Sequence, residues 1–78
     1  MRIHVQNYHR TMMLTLDVQA AVTIEHVITI VRDHWSWMTH LQELCFPTTD
    51  RCMEPLPRSN TLEELNFTED QVLIVSYM

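Results

Sequence analysis

The sequence has 78 residues, a formal net charge of −5 at pH 7 and 46% hydrophobic residues. This length predicts a single domain over residues 1–78, because so short a chain buries only about 60% of its unfolded surface around one core. Five arginines without any lysine, in an acidic chain, argue against binding to nucleic acid. No apolar run approaches the ~20 residues of a membrane span, and no signal peptide is recognisable. We therefore expect an intracellular protein, cytoplasmic or nuclear, that binds neither nucleic acid nor membrane.

The sequence contains no glycine, although average usage of about 7% predicts about five in this length. Turns that need a positive φ must therefore use asparagine, aspartate or strained residues. Glycine-rich phosphate-binding loops are excluded. Without lysine, no side-chain amine is present to form a Schiff base.

The first two predicted elements are strands. Residues 2–6 alternate polar and apolar, with Ile3 and Val5 directed at a core, and residues 13–18 alternate in the same way. The short polar link between them predicts a β-hairpin. In this link, Asn7 tolerates a left-handed backbone.

Residues 23–34 predict the helix around which the chain packs. Four apolar residues have the i, i+3, i+4, i+7 spacing of one helical face: Ile24, Val27, Ile28 and Val31. β-branched residues lower the intrinsic helix propensity, but propensity is a weaker guide than a matched apolar face. Thr23 is placed to cap the first turn.

The remaining elements are shorter. Residues 41–46 predict a short strand and residues 52–53 another brief one. Residues 55–60 contain two prolines and predict an irregular loop. Residues 61–64 have the Thr-x-x-Glu spacing of a capping box, which is typical of a helical turn. The β-rich residues 71–77 predict a strand near the middle of a sheet.

Several of these segments are similar to ubiquitin. Residues 1–5 (Met-Arg-Ile-His-Val), 15–18 (Thr-Leu-Asp-Val) and 23–27 (Thr-Ile-Glu-His-Val) look like its two opening strands and its helix entry. Later positions follow the spacing of the family: Thr61, Leu62, Phe67, Leu73 and Val75. The chain thus resembles the ubiquitin-like family over its whole length, with extra residues in the first hairpin and before residue 60. The resemblance implies an α+β, ubiquitin-like β-grasp fold, in which a mixed four- to five-stranded sheet packs on one helix.

The resemblance also implies the composition of the core. Its expected members are Ile3, Val5, Leu14, Leu16, Ile24, Val27, Val31, Leu44, Met53, Leu62, Phe67, Leu73 and Val75. The periodicity of the strands and the helix selects most of the same residues.

The resemblance implies a function in protein binding. Conjugated relatives end in Gly-Gly, whereas this sequence has no glycine and ends in Val-Ser-Tyr-Met, so we expect a non-conjugatable interaction module. Such domains bind ubiquitin-pathway receptors, ligases, deubiquitinases or proteasome components, as a free adaptor or at the N-terminus of a longer protein. Two alternatives stay open: a structural or regulatory domain that packs on its own protein or in an obligate complex, and an engineered ubiquitin-like scaffold. A Ras-binding domain is disfavoured because the second strand carries no basic residue.

Two neighbouring surface patches follow from the resemblance. In the secondary patch, aromatic residues replace aliphatic ones, at Tyr8, Trp37 and Tyr77. In the main patch, a thiol and a hydroxyl replace branched aliphatics, and its positions are Cys45, Ile74 and Ser76. Glu43 places an acid where ubiquitin has an arginine. Because aromatic side chains are favoured interface anchors, we expect the secondary patch to bind the partner, while Trp35 is equally suited to the surface or the core.

No catalytic residue, cofactor or metal site is predicted. Cys45 and Cys52 are separated by six residues, which does not fit the Cys-x2–4-Cys pairs of structural zinc sites. A Cys–His nucleophile needs a pocket and an oxyanion hole, for which so small a domain has little room. We therefore expect two reduced thiols and no enzymatic activity. Among the scattered histidines, His4 and His26 stay open as pH-responsive groups.

Overall fold

In the computed structural model, the described residues are 1–38, 42–47 and 54–76. The brief strand predicted at Cys52 and the core position of Met53 therefore lie outside the described residues. The described part contains these elements: β1 (Arg2–Gln6), β2 (Met13–Asp17), α1 (Ile24–His34), β3 (Glu43–Cys45) and β4 (Gln71–Ser76).

The four strands form one mixed sheet in the order β2-β1-β4-β3. β1 is antiparallel to β2 and parallel to β4, and β3 is antiparallel to β4. Val5 lies opposite Leu14 on one side and opposite Leu73 on the other. With α1 packed against one face of this sheet, the α+β class is confirmed, and the layout is compatible with a β-grasp.

The predicted helix is confirmed, as is its cap. The backbone N–H of His26 donates to Thr23 Oγ1 at 3.2 Å, which satisfies one of the unpaired donors of the first turn. At the other end, the N–H of Trp35 donates to the carbonyl of Val31 at 2.7 Å. The buried face consists of the predicted residues Ile24, Val27, Ile28 and Val31.

The core lies between this helical face and the inner face of the sheet. Its buried members are Ile3, Val5, Ile24, Val27, Ile28, Val31, Trp35, Met38, Leu44, Leu56, Leu62, Phe67, Leu73 and Val75. Two predicted core residues, Leu14 and Leu16, pack against this core but are only half-buried. They lie on β2, which is the outermost strand on its side of the sheet.

The hairpin link corrects one prediction. Arg10, with φ of 59°, has the left-handed backbone that was expected at Asn7. Asn7 is buried instead, and its Oδ1 accepts the N–H groups of Thr11 and Met12 at 2.8 and 2.9 Å. Its side chain thus supplies hydrogen bonds that the turn backbone lacks, which is the ordinary role of asparagine in turns.

The later turns agree with the sequence. In the capping box, Thr61 N–H donates to Glu64 Oε1 at 2.8 Å and Glu64 N–H donates to Thr61 Oγ1 at 3.1 Å. The positive φ values at Asn66 and Asp70, 58° and 64°, confirm that asparagine and aspartate serve where glycine is missing. β3 spans Glu43–Cys45 and is therefore shorter than the strand predicted over residues 41–46.

Replacing Ile28 with alanine tests whether this helical face holds the fold. Ile28 is fully buried, so Ile28→Ala should lower the free energy of unfolding by about 2–5 kcal/mol through lost burial and a cavity. The matched control is His26→Ala on the exposed side of α1, which should change it by less than about 0.5 kcal/mol. Denaturant unfolding measures both, and equal effects would show that this face is not the core.

Candidate interaction surface

Two tryptophans follow α1 and differ sharply in exposure. Trp35 is 6% exposed and belongs to the core, whereas Trp37 is 40% exposed. Their rings stack with centroids 5.3 Å apart and planes 23° apart. The segment turns back on itself here, since Met38 N–H donates to the carbonyl of Trp35 at 3.0 Å. Trp37 is therefore an open aromatic surface supported from below by a buried ring.

A second exposed aromatic lies in the β1–β2 hairpin. Tyr8 is 44% exposed, and its ring meets that of His9 edge-on at 5.4 Å. Met12 and Met13, which follow in the same hairpin, are exposed as well. The expected surface position of Tyr8 agrees with the structure, and the hairpin carries more exposed apolar area than the aromatic pattern alone predicted. Tyr77, the third residue of the secondary patch, lies outside the described residues.

The structure corrects the surface position expected for the main patch. Cys45, Ile74 and Ser76 are all buried. They alternate along β3 and β4 with core-facing Leu44 and Val75, so they lie on the sheet face opposite α1. Alternation assigns a residue to a face but does not show whether that face is covered, which is why the sequence did not predict this burial.

The buried thiol is a poor nucleophile. Burial raises the pKa of Cys45, a hydrogen bond with Ser76 opposes this rise, and the nearby charge of Glu43 adds to it. The thiolate that reacts with electrophiles is therefore disfavoured at neutral pH.

Glu43, the acid that stands where ubiquitin has an arginine, is paired with a basic side chain. Its carboxylate is bound by the guanidinium of Arg58, with Nε at 2.9 Å from Oε2 and Nη2 at 2.5 Å from Oε1. The Glu43 side chain is largely shielded from solvent. Two parallel hydrogen bonds of this kind are stronger than a single contact, and this pairing raises the pKa of Arg58. A partner approaching here meets an ion pair rather than an isolated carboxylate.

A polar network that the sequence did not predict links β1, β2 and the residue before β4. Asp70 accepts hydrogen bonds from Arg2 Nε at 2.6 Å and makes a contact with His4 Nε2 at 2.9 Å. The other ring nitrogen of His4 lies 2.9 Å from Thr15 Oγ1. The hydrogen bond from Arg2, followed by that of His4, lowers the pKa of Asp70 to about 2. The signal in the sequence was the placement of a basic residue at the start of β1 and an acidic residue just before β4, because parallel pairing brings Arg2 and Asp70 to the same end of the sheet.

A scan of protein-family models and a search of curated protein sequences found no match to this chain. In the part of the chain that the structure describes, no helix is long and apolar enough to cross a membrane. The same residues contain no group of three or more histidine, cysteine, aspartate or glutamate side chains suited to hold a metal ion.

The Asp70 network should make stability depend on pH in acid. The pKa of Asp70 is about 2 in the folded chain against 3.8 as its ordinary value. A lowered carboxyl pKa stabilises the fold above pH ~4, and this contribution is lost as pH falls from ~4 to ~2. Asp70→Asn, which keeps a residue that tolerates positive φ, should thus be less stable than the parent at pH 6, and the gap should close by pH 2. Denaturant unfolding across this range measures the gap, and a constant gap would contradict the assignment.

Thiol labelling tests the burial of the main-patch position. In a Cys52→Ser variant, Cys45 is the remaining thiol, and it should react with a thiol reagent only after denaturant unfolds the chain, because it is buried and its pKa is raised. The unfolded variant provides the reference rate. Labelling of the native variant at that same rate would show that Cys45 is exposed.

Proposed function

We propose that this chain is a non-conjugatable ubiquitin-like domain of the β-grasp type that serves as a protein-interaction module. The observation that carries the proposal is Trp37, an exposed indole held by ring stacking on buried Trp35. A large exposed aromatic with its rotamer already restricted loses little entropy on binding. Such a residue fits an interface anchor better than a solvent-facing position without a role.

The layout of the sheet supports the family part of the proposal. A mixed sheet in the order β2-β1-β4-β3, with parallel central strands and one helix across its inner face, is compatible with a β-grasp. The resemblance of the opening strands and the helix entry to ubiquitin points the same way. Within these 78 residues no glycine is present to form the Gly-Gly end of the conjugated relatives.

The distribution of exposed residues favours binding through the secondary patch. Cys45, Ile74 and Ser76 are withdrawn from solvent, whereas Tyr8 and Trp37 are open. The proposed partners are ubiquitin-pathway proteins of the cytoplasm or nucleus: receptors, ligases, deubiquitinases or proteasome components. Partners that require an aliphatic patch and the arginine that ubiquitin has at the position of Glu43 should bind weakly, because the patch is buried and Glu43 is paired with Arg58.

Binding to a panel of purified proteins from these four classes tests the proposal. Trp37→Ala should weaken the binding of any partner at least tenfold, about 1.4 kcal/mol. Trp37→Phe is the matched control, because it keeps an aromatic ring on Trp35 and should retain most of the affinity. Glu63→Ala removes an exposed side chain from the capping-box turn that begins at Thr61 and should leave affinity unchanged.

Stability measurements separate binding from folding. Stacked aromatic pairs contribute about 0.5–1.5 kcal/mol, so Trp37→Ala should remain folded. If no member of the panel binds, or if Trp37→Ala binds as tightly as the parent, the proposed function is wrong. Loss of affinity in Glu63→Ala equal to that in Trp37→Ala would place the interface elsewhere.

A further inference from the structure

Among the described residues, the sheet has an open edge at β2. In the order β2-β1-β4-β3, β2 pairs with β1 on one side, and no strand of the described residues lies on its other side. Unpaired N–H and C=O groups along such an edge favour the addition of another strand. Which backbone groups face outward can be derived from the hydrogen bonds at the two ends of the hairpin.

Those terminal hydrogen bonds show which opposite residues of β1 and β2 form hydrogen-bonded pairs. Asn7 N–H donates to the carbonyl of Met12 at 3.2 Å, and Val18 N–H donates to the carbonyl of Met1 at 2.9 Å. Both pairs continue the β1–β2 register. In an antiparallel ladder, hydrogen-bonded pairs alternate with non-hydrogen-bonded pairs. Even-numbered residues of β2 therefore bond to β1.

The odd-numbered residues of β2 direct their backbone groups to the open edge. Leu14 and Leu16 are hydrogen-bonded to β1 by this alternation, so the N–H and C=O groups of Met13, Thr15 and Asp17 point away from it. This set of outward groups is symmetric about Thr15.

Exposed apolar side chains are concentrated in the hairpin that contains this edge. Four large hydrophobic side chains of the described residues are exposed, and three belong to this hairpin: Tyr8, Met12 and Met13. Met13 is 54% exposed. Leu14 and Leu16 are half-buried, with part of each side chain open beside the core. The edge therefore offers backbone groups and apolar surface together.

We propose that β2 pairs antiparallel with β2 of a second copy of this chain, about a two-fold axis at Thr15. In this register Thr15 lies opposite its own counterpart, and Met13 lies opposite Asp17 of the second copy. The outward N–H and C=O groups of each copy then lie opposite the outward groups of the other copy. Leu14 lies opposite Leu16 of the second copy in a non-hydrogen-bonded pair, where side chains approach most closely.

The register, together with the charges within the strand itself, favours a second copy as the occupant. Asp17 is the only charged residue of β2, and this register places it opposite a methionine rather than opposite another carboxylate. Only this register pairs all five residues of the strand with all five of its counterpart. Because each copy carries a net charge of −5 and the paired strands are short, the dimer is weak and is strengthened by salt, which screens the repulsion.

Thr15→Pro and Thr15→Ala form the critical pair of variants. Proline removes the N–H that faces the edge but no hydrogen bond to β1, which is where edge strands accept proline. Alanine removes the hydroxyl beside His4 but keeps the N–H. In analytical ultracentrifugation, the weight-average mass of the parent and of Thr15→Ala should rise with concentration towards twice the monomer mass, more so at high salt. That of Thr15→Pro should stay at the monomer mass.

A parent that stays monomeric at all concentrations, or a Thr15→Pro variant that dimerises like the parent, would overturn the proposal. Amide hydrogen exchange on the parent avoids any doubt about folding of the variants. The amides of Met13, Thr15 and Asp17 should become more protected at high concentration, whereas those of Leu14 and Leu16 should be protected throughout. Protection of Thr15 that does not depend on concentration would also overturn it.

The same measurements distinguish a different occupant. A peptide with the sequence of residues 12–18 offers one added strand without a second domain. If the parent is monomeric but the Thr15 amide becomes protected when this peptide is added, the edge takes extended peptides and not a second copy, which would overturn the dimer. The Thr15 variants leave Tyr8 and Trp37 unchanged. If the chain does not dimerise, the proposed binding of partners through the secondary patch is therefore unaffected.

Discussion

The fold depends on one interaction, the packing of the apolar face of α1 against the inner face of the sheet. The central strands β1 and β4 are parallel neighbours, with Val5 opposite Leu73, and both residues are fully buried in the same core as the helical face. Parallel strands need a long connection between them, and α1 lies within that connection. The same helix thus joins the central strands along the chain and covers them. In a domain of this size, with little other core, β2, β3 and the turns depend on this unit.

The absence of glycine places a second constraint on the chain. Arg10, Asn66 and Asp70 have left-handed backbones, which cost about 1–2 kcal/mol each for ordinary residues and less for asparagine and aspartate. The surrounding hydrogen bonds offset this cost. The N–H of Asp70 donates to the carbonyl of Arg2 at 2.7 Å while its carboxylate binds the Arg2 side chain. Asn7 stabilises the turn that contains Arg10. Strained turn positions and side-chain networks therefore occur together in this molecule.

Periodicity along single segments was enough to predict the helix, its buried face and the alternation of β1 and β2. Properties that depend on the arrangement of strands were not predictable in this way. Leu14 and Leu16 are only half-buried because β2 is an edge strand, and Ile74 is buried on the face opposite the helix. The network of Arg2 and Asp70 joins residues 68 positions apart, so it becomes visible only once the β1–β4 register is known.

The outer face of the sheet is divided into two parts that differ in polarity and exposure. At the β1–β2 side the face is mostly polar, with His4 and Thr15 joined to the Asp70 network, and it also carries exposed Met13. At the β3–β4 side, Cys45 and Ile74 are apolar and buried. A partner cannot use the whole face as one continuous apolar surface. Among the described residues, the large apolar side chains that stay exposed lie instead after α1 and in the β1–β2 hairpin, because the apolar residues at the β3–β4 side of the sheet are buried.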